Sequence, residues 1–329
     1  MLALNQHYHV FFTSVESRIR SLPLSVLYRI ALSVLLLLLA SSLIAQQIAD
    51  PNFKPVVARP AYTKSFPRVL FDEAHNNAHT AVGSFKPFAD LIADDGYHVV
   101  RNHKTFNKET LDTFKVLVIV NALGAEDADE EGADKSAFTD EECDVVRDWV
   151  RGGGALLLLA DQAPFGSAAQ NLAKRFEVDM SKGLTRDPAN YEKDSGIETS
   201  IVYSRQNKLL PDHPITQGRS DAEKVSRVIA FSGQSLKGPD GSAVFLKLAD
   251  SAVDMVPPHG KEVSAAGRAR GIAFKFGKGR VVVLGEAAML SAQIAGSDKR
   301  PVGMNYPDID NQQLALNIMH WLSGLLKER

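Results

Sequence analysis

The sequence predicts an α/β protein: a doubly wound, mostly parallel sheet flanked by helices, with a C-terminal β-hairpin and helix and an N-terminal hydrophobic segment in front. Three observations carry that expectation. Segments such as Lys115-Val-Leu-Val-Ile-Val-Asn121 and Ala155-Leu-Leu-Leu-Leu-Ala160 are continuously apolar at their centres, as strands covered on both faces must be. Segments with helical spacing alternate with them, the pattern of a sheet sandwiched between helix layers. The chain has 329 residues, 45% of them hydrophobic, enough for a proper core in one large domain or two modest ones.

Taken in order, Arg68-Val-Leu-Phe-Asp72 is a first short strand. Ser84 to Asp95 spaces Phe88, Leu91 and Ile92 as a helix, and Gly96 stops it. Tyr97-His-Val-Val100 is a second strand and Lys115 to Asn121 a third. Thr139 opens a helix with Glu142 three residues on, a capping box. That helix ends at Gly152-Gly153-Gly154, and Ala155 to Ala160 is the fourth strand. Phe165 to Phe176 reads as a helix. The expected order is therefore β-α-β-β-α-β-α. From Asp179 to Lys224 the pattern is poor, as in an irregular insertion or lid. Val225 to Phe231 and Ala243 to Leu248 follow as strands. Gly271–Phe276 and Arg280–Gly285, joined by Gly277-Lys278-Gly279, make a hairpin. A last helix is expected from Asp310 to Leu326.

The N-terminus has a different character. Residues 30–45, IALSVLLLLLASSLIA, are almost wholly apolar, and Arg18, Arg20 and Arg29 precede them. A charged flank before an apolar run that ends in small residues is a secretory-signal pattern. The alternative is an uncleaved membrane anchor whose positive end stays in the cytoplasm. Residues 1–29 are then a cytoplasmic segment or n-region, 46–67 a proline-bearing linker, and 68–326 the folded domain, placed in the cell envelope or periplasm. The net charge of −2 gives no electrostatic footprint for nucleic acid. The single cysteine, Cys143, excludes an internal disulfide framework and a cysteine-based zinc cluster.

Asp72-Glu73-Ala74-His75 spells a helicase box, but no G-x-x-x-x-G-K-[ST] phosphate loop exists anywhere to serve it. Arg151 to Asp161 resembles a strand ending in a Walker-type aspartate and fails for the same reason. The opening Asp127-x-Asp129-x-Glu131-Gly132 suggests a calcium loop, yet its twelfth position is Phe138 instead of the bidentate glutamate. The turn after the fourth strand, Asp161-Gln162-Ala163-Pro164, lacks the serine or cysteine of a nucleophile elbow.

What remains is convergence at one rim. In open α/β sheets, ligands bind at the carboxyl ends of the strands. The first strand ends in Asp72, Glu73 and His75, followed by Asn76, Asn77 and His79. The third ends at Asn121, the fourth at Asp161 and Gln162, and the last at Glu286. Asp72, Glu73, His75, Asp161 and Glu286 are the candidates for chemistry; Asn76, Asn77, His79, Asn121 and Gln162 are the candidates for ligand binding. Carboxylates and imidazoles so gathered could work as an acid/base pair or, through Asp72 and His75, hold a metal. Helix capping and loop tying are the alternative roles. His98, His103, His259 and His320 are not expected to be ligands, and His213 opens a turn, His213-Pro-Ile-Thr216.

VLFDEAHNN, Trp149-Val-Arg-Gly-Gly-Gly154 with LLLLAD, the HPIT turn, GKGRVVVLGE and DNQQLALNIMHWL together resemble exported bacterial proteins carrying a class I glutamine amidotransferase-like (flavodoxin-like) domain of unknown function. The resemblance covers Arg68 to Leu326. The amidotransferase cysteine in G-x-C-x-G is missing, so the resemblance implies the fold and argues against glutamine hydrolysis. It implies an exported or membrane-anchored, non-catalytic binding or scaffold domain, needing no cofactor, whose partner is an envelope or transporter protein. The alternative is a metal-assisted hydrolase of a glycan, ester or amide using the acidic and histidine rim.

Overall fold

The structure, a computed structural model, describes residues 47–327. Residues 47–295 and 299–327 form one compact unit. The predicted export or anchor segment, residues 30–45, lies outside the described residues. Among those that are described, no helix is long and apolar enough to cross a membrane.

The main elements are β1 (Arg68–Asp72), α1 (Lys86–Asp94), β2 (His98–Asn102), β3 (Val116–Val120), α2 (Asp140–Gly152), β4 (Ala155–Leu159), α3 (Phe165–Lys174), β5 (Ala269–Phe276), β6 (Gly279–Leu284) and α4 (Asn311–Leu322). The central sheet has nine strands. Strands β2, β1, β3, β4 and β6 lie side by side, all parallel. Leu70 stands opposite Leu117, Leu117 opposite Leu156, and Leu158 opposite Val283. Beyond β6 the sheet turns antiparallel. The expected hairpin is β5 against β6, with Phe276 opposite Gly279. Ala243–Lys247 and Leu236–Lys237 both pair with β5, and Asp179–Met180 pairs with Leu236–Lys237.

One element differs from the expected order. Two consecutive parallel strands, β2 and β3, need a crossover between them. A four-residue helix, Lys108–Leu111, supplies it. Asn107 caps that helix, accepting from the Thr110 N–H at 2.9 Å, while Thr110 Oγ1 accepts from the Asn107 N–H at 2.9 Å. The last helix is also shorter than its periodicity suggested. It stops at Leu322, just before Gly324 at φ 89°, a left-handed position that favours glycine.

Strand alternation divides the core into two layers. Val69, Phe71, Leu157, Leu159, Val282 and Leu284 pack with α1 and α4. Leu70, Leu117, Leu156, Leu158, Val281 and Val283 pack with α2 and α3. This division decides which rim residues meet.

Candidate functional site

All five parallel strands end on one rim, as the candidate residues require. They do not form one site there. They form two clusters on opposite faces of the sheet.

The first cluster is closed. Asp72 shares its parity with Leu70 and points into the α2 layer, where it is 0% exposed. Both its oxygens accept from His75 Nδ1 at 2.9 Å, and Asn102 Nδ2 donates to Oδ1 at 3.3 Å. The other ring nitrogen, His75 Nε2, lies 3.0 Å from Glu142 Oε1. Phe106 and Phe138 flank the imidazole, with ring centroids 4.6 and 4.7 Å away. Burial lowers the His75 pKa, but the hydrogen bonds and charges of Asp72 and Glu142 outweigh it, and the net shift is upward. For Glu142, burial raises the pKa, while His75 and the N–H groups of Thr139 and Phe106 outweigh it, and the net shift is downward. Both directions favour an imidazolium held between two carboxylates.

Glu142 also closes the capping box of α2, accepting from the Thr139 N–H at 3.0 Å. His75 therefore ties the loop after β1 to the start of α2. Glu73 has a similar tying role, accepting from the Ala81 N–H at 2.8 Å and from Arg101 Nε at 2.8 Å. Asn77 accepts from the His75 N–H at 3.1 Å and donates to the Val120 carbonyl at 3.2 Å. Asn76 is exposed and stands at φ 48°. The metal reading of Asp72 and His75 finds no free ligand there, because both ring nitrogens face carboxylates. Among the described residues no group of three or more His, Cys, Asp or Glu could hold a metal ion.

The second cluster is open. Continued past the strand ends, the alternation puts Asp161 with Leu159 and Glu286 with Leu284, on the α1 and α4 side. There Asp161, Glu286 and His79 line a cavity of about 280 Å³. Asp161 is fixed by its neighbours. Asn121 Nδ2 donates to Asp161 Oδ2 at 2.9 Å, the Asp161 N–H donates to Asn121 Oδ1 at 3.0 Å, and the Ala287 N–H donates to Asp161 Oδ1 at 2.8 Å. Asn121 stands at φ 45°, a conformation asparagine tolerates better than most residues. Gln162 accepts from Ser232 Oγ at 3.2 Å and from the Gly233 N–H at 3.1 Å, anchoring the far wall.

Glu286 is 0% exposed. The Met289 N–H donates to its Oε2 at 2.9 Å, but its Oε1 has no hydrogen-bond partner. Burial and the charge of Asp161 push its pKa up to about 8, against the pull of the Met289 N–H, of Arg270 and, more weakly, of the Phe231 N–H, which makes no hydrogen bond of good geometry to the carboxyl. Glu286 is thus a neutral acid at pH 7 beside a carboxylate. Gly233 keeps the backbone close: at φ +96°, an added Cβ would come within 2.7 Å of the Glu286 Cβ and 2.1 Å of the Gly285 carbonyl oxygen. His79 stacks on Phe85 at 5.4 Å and shares a 2.5 Å hydrogen bond with Ser84 through Nδ1. Burial lowers its pKa, against the charge of Asp161.

Sequence reasoning did not anticipate the remaining walls. Glu192, Ser195, Ile197, Thr199 and Ser200 of the irregular insertion also line the cavity, with Phe231 at the end of the expected strand Val225–Phe231 and with Ser232, Arg300 and Tyr306, and no sequence pattern brings these segments to the rim. Glu142 was visible only as a cap; no local signal joins it to a histidine 67 residues away. Cys143 is 0% exposed within α2, and burial pushes its thiol up to about 12, so it carries no thiolate to attack with.

No protein-family model and no curated protein matches this chain. Among solved structures, it is similar to the N-terminal domain of mmIFT52, with a TM-score of 0.54 and 13% identity over 78% of this chain and 97% of that one. At that identity the likeness extends to the fold alone. It is also similar to a putative GMP synthase component from Thermoplasma acidophilum, with a TM-score of 0.41 and 10% identity over 80% and 97% of the two chains. A putative ThuA-like protein from Bacteroides uniformis gives a TM-score of 0.38 and 12% identity over 82% and 94%.

Proposed function

We propose that this chain is a small-molecule-binding domain on an amidotransferase-like fold that works without a covalent nucleophile. One observation carries the reading: Glu286, a fully buried carboxyl with one oxygen that lacks a hydrogen-bond partner, is among the residues lining a cavity of about 280 Å³. A buried polar atom without a partner costs about 1–3 kcal/mol, and a ligand that supplies the missing hydrogen bond recovers it. The cavity sits at the carboxyl ends of the parallel strands, where open α/β sheets bind ligands. Its volume is just below the range of drug-sized pockets, which suits a ligand of a few heavy atoms. The turn after β4 offers Asp161 and Gln162 where an amidotransferase has its cysteine, and Cys143 is buried elsewhere.

The apolar run at 30–45 supports a place in the cell envelope, exported or anchored, with an envelope or transporter protein as partner. A reporter enzyme active only outside the cytoplasm, fused after Pro67, tests this: activity is expected, and a folded but inactive fusion would refute export. A metal-assisted hydrolase centred on Asp72 and His75 is the less favoured reading, because each of those side chains is engaged by the other.

The binding reading is tested by ligand-observed NMR of a polar fragment library against the full chain and two variants. Ala295→Trp fills the cavity from its outer edge, and Glu286→Ala removes the carboxyl. Fragments that bind the parent and are lost in both folded variants are expected. A set of binders indifferent to both substitutions would refute the assignment.

A further inference from the structure

We propose that the cavity takes an organic ammonium ion, held by Asp161 and Glu286 and bordered by the rings of Phe231 and Tyr306. This rests on the reading of the cavity as a ligand site and names the ligand's chemistry. The argument starts from what each wall offers. The wall formed by the strand ends presents two carboxyl groups and the His79 ring, and no cationic side chain among the lining residues. Glu192, on the insertion, pairs with Arg227. Arg300 is the one lysine or arginine among the lining residues, and it is exposed. Arg270 is buried close to Glu286 but does not line the cavity; an anion in the cavity would have to sit beside Asp161, so the groups that face it on the inner wall favour a cation.

Two further features fit an ammonium group. Once Glu286 ionises, its unpartnered Oε1 is an acceptor in need of a donor, and a protonated amine has up to three. Phe231 and Tyr306 line the same space with ring centroids 5.6 Å apart, tilted by 57°, and aromatic faces attract organic cations.

Binding of such an ion moves a proton. In the empty cavity Glu286 holds its proton up to about pH 8. An ammonium ion beside it favours the carboxylate, so the proton leaves to solvent as the cation enters. The charged and titratable groups around Glu286 are Asp161 from the end of β4, His79 from the loop after β1 and Arg270 from β5, with Glu192, Arg300 and Tyr306 on the outer walls and Arg227 paired to Glu192. His79 is held below its ordinary pKa, chiefly by burial, and so brings no competing charge.

The test is calorimetry of the full chain with n-butylamine and its neutral isostere n-butanol. A primary alkylamine stays protonated to about pH 10, so any change between pH 7 and 9 comes from the protein. Affinity for butylammonium is expected to rise about tenfold from pH 7 to 9, the ratio expected when about one proton with a pKa near 8 must leave first. Butanol should bind at least about tenfold more weakly. Glu286→Gln, which keeps the shape and loses the charge, should abolish the pH dependence and weaken binding at pH 9 by about tenfold or more. Equal binding of butanol, or a folded Glu286→Gln protein with unchanged affinity and pH dependence, would overturn the inference. Failure of butylamine alone, with neutral fragments still bound and lost in Ala295→Trp, refutes the ammonium ion and leaves the cavity reading standing. Failure of every probe refutes both.

Discussion

The two halves of the rim use the same chemistry to opposite ends. On the α2 face, Asp72, His75 and Glu142 satisfy one another, with both ring nitrogens of the imidazole facing carboxylates. On the α1 face, Asp161 is satisfied by Asn121 and Ala287, but Glu286, which lines a cavity, is left with one oxygen unpartnered. Residue types alone do not distinguish a site from a scaffold. What distinguishes them is whether the polar atoms close on one another or stay open toward space that a ligand can fill.

The comparison can be sharpened, or broken, at either half. The largest effect is expected at Glu286. Its pKa rises from 4.5 in the unfolded chain to about 8 in the folded one, and each unit corresponds to about 1.4 kcal/mol. A group raised in this way stabilises fully below its unfolded pKa and loses that contribution as pH rises through the folded value. The parent protein should therefore lose roughly 5 kcal/mol relative to Glu286→Gln between about pH 4.5 and 8. Denaturant unfolding of the two proteins at pH 5 and pH 8.5 checks this; parallel pH profiles would break the claim that Glu286 is desolvated.

At the closed half, His75→Ala leaves Asp72 and Glu142 facing each other without the imidazole. Removing one member of a buried charged set costs about 3–5 kcal/mol, and a comparable loss is expected here, seen as a lower denaturation midpoint. The His75 pKa is also raised, so its contribution is fully present below 6.5 and fades as pH rises through the folded value. The gap between the parent and His75→Gln should narrow above neutral pH. A gap that widens with pH would contradict the imidazolium bridge. Neither variant should alter ligand binding in the cavity, because the two clusters lie on opposite faces of the sheet.

A smaller effect is expected at Asn121, which joins β3 to the open half. Asn121→Ala removes both hydrogen bonds to Asp161 and places alanine at φ 45°, for a loss of about 2–3 kcal/mol. Asn121→Gly removes the same bonds without the backbone strain and should lose about 1 kcal/mol less. Equal losses, measured by unfolding, would show that the backbone there is unstrained. The smallest expected signal is at Cys143: a buried thiol pushed up to about 12 should resist alkylation at pH 8 until the protein unfolds, and rapid labelling of the native chain would place it elsewhere.

Much of the fold was legible because burial on both faces writes itself into composition. Val116–Val120 and Ala155–Leu159, both buried throughout, could hardly be anything else. The capping box at Thr139 and Glu142 was equally plain, since both members lie within one turn. The antiparallel half was harder. Asp179–Met180 and Leu236–Lys237 are two-residue strands, too short to carry a period; Leu236–Lys237 is a strand because β5 lies beside it, and Asp179–Met180 because Leu236–Lys237 does. The rim residues were readable as a set, and strand parity was the signal that separates Asp72, in phase with Leu70, from Asp161, in phase with Leu159. The walls supplied by Glu192, Phe231, Arg300 and Tyr306 were not readable as walls, because tertiary contact alone brings these segments to the cavity.

The most direct test of the divided rim is a carbon-13 NMR titration of the side-chain carboxyl of Glu286, assigned by its absence in Glu286→Gln. A midpoint near 8 is expected, moving downward when a cationic ligand fills the cavity. A midpoint near the ordinary 4.5, unmoved by any ligand, would mean a solvated carboxyl and no site on that face.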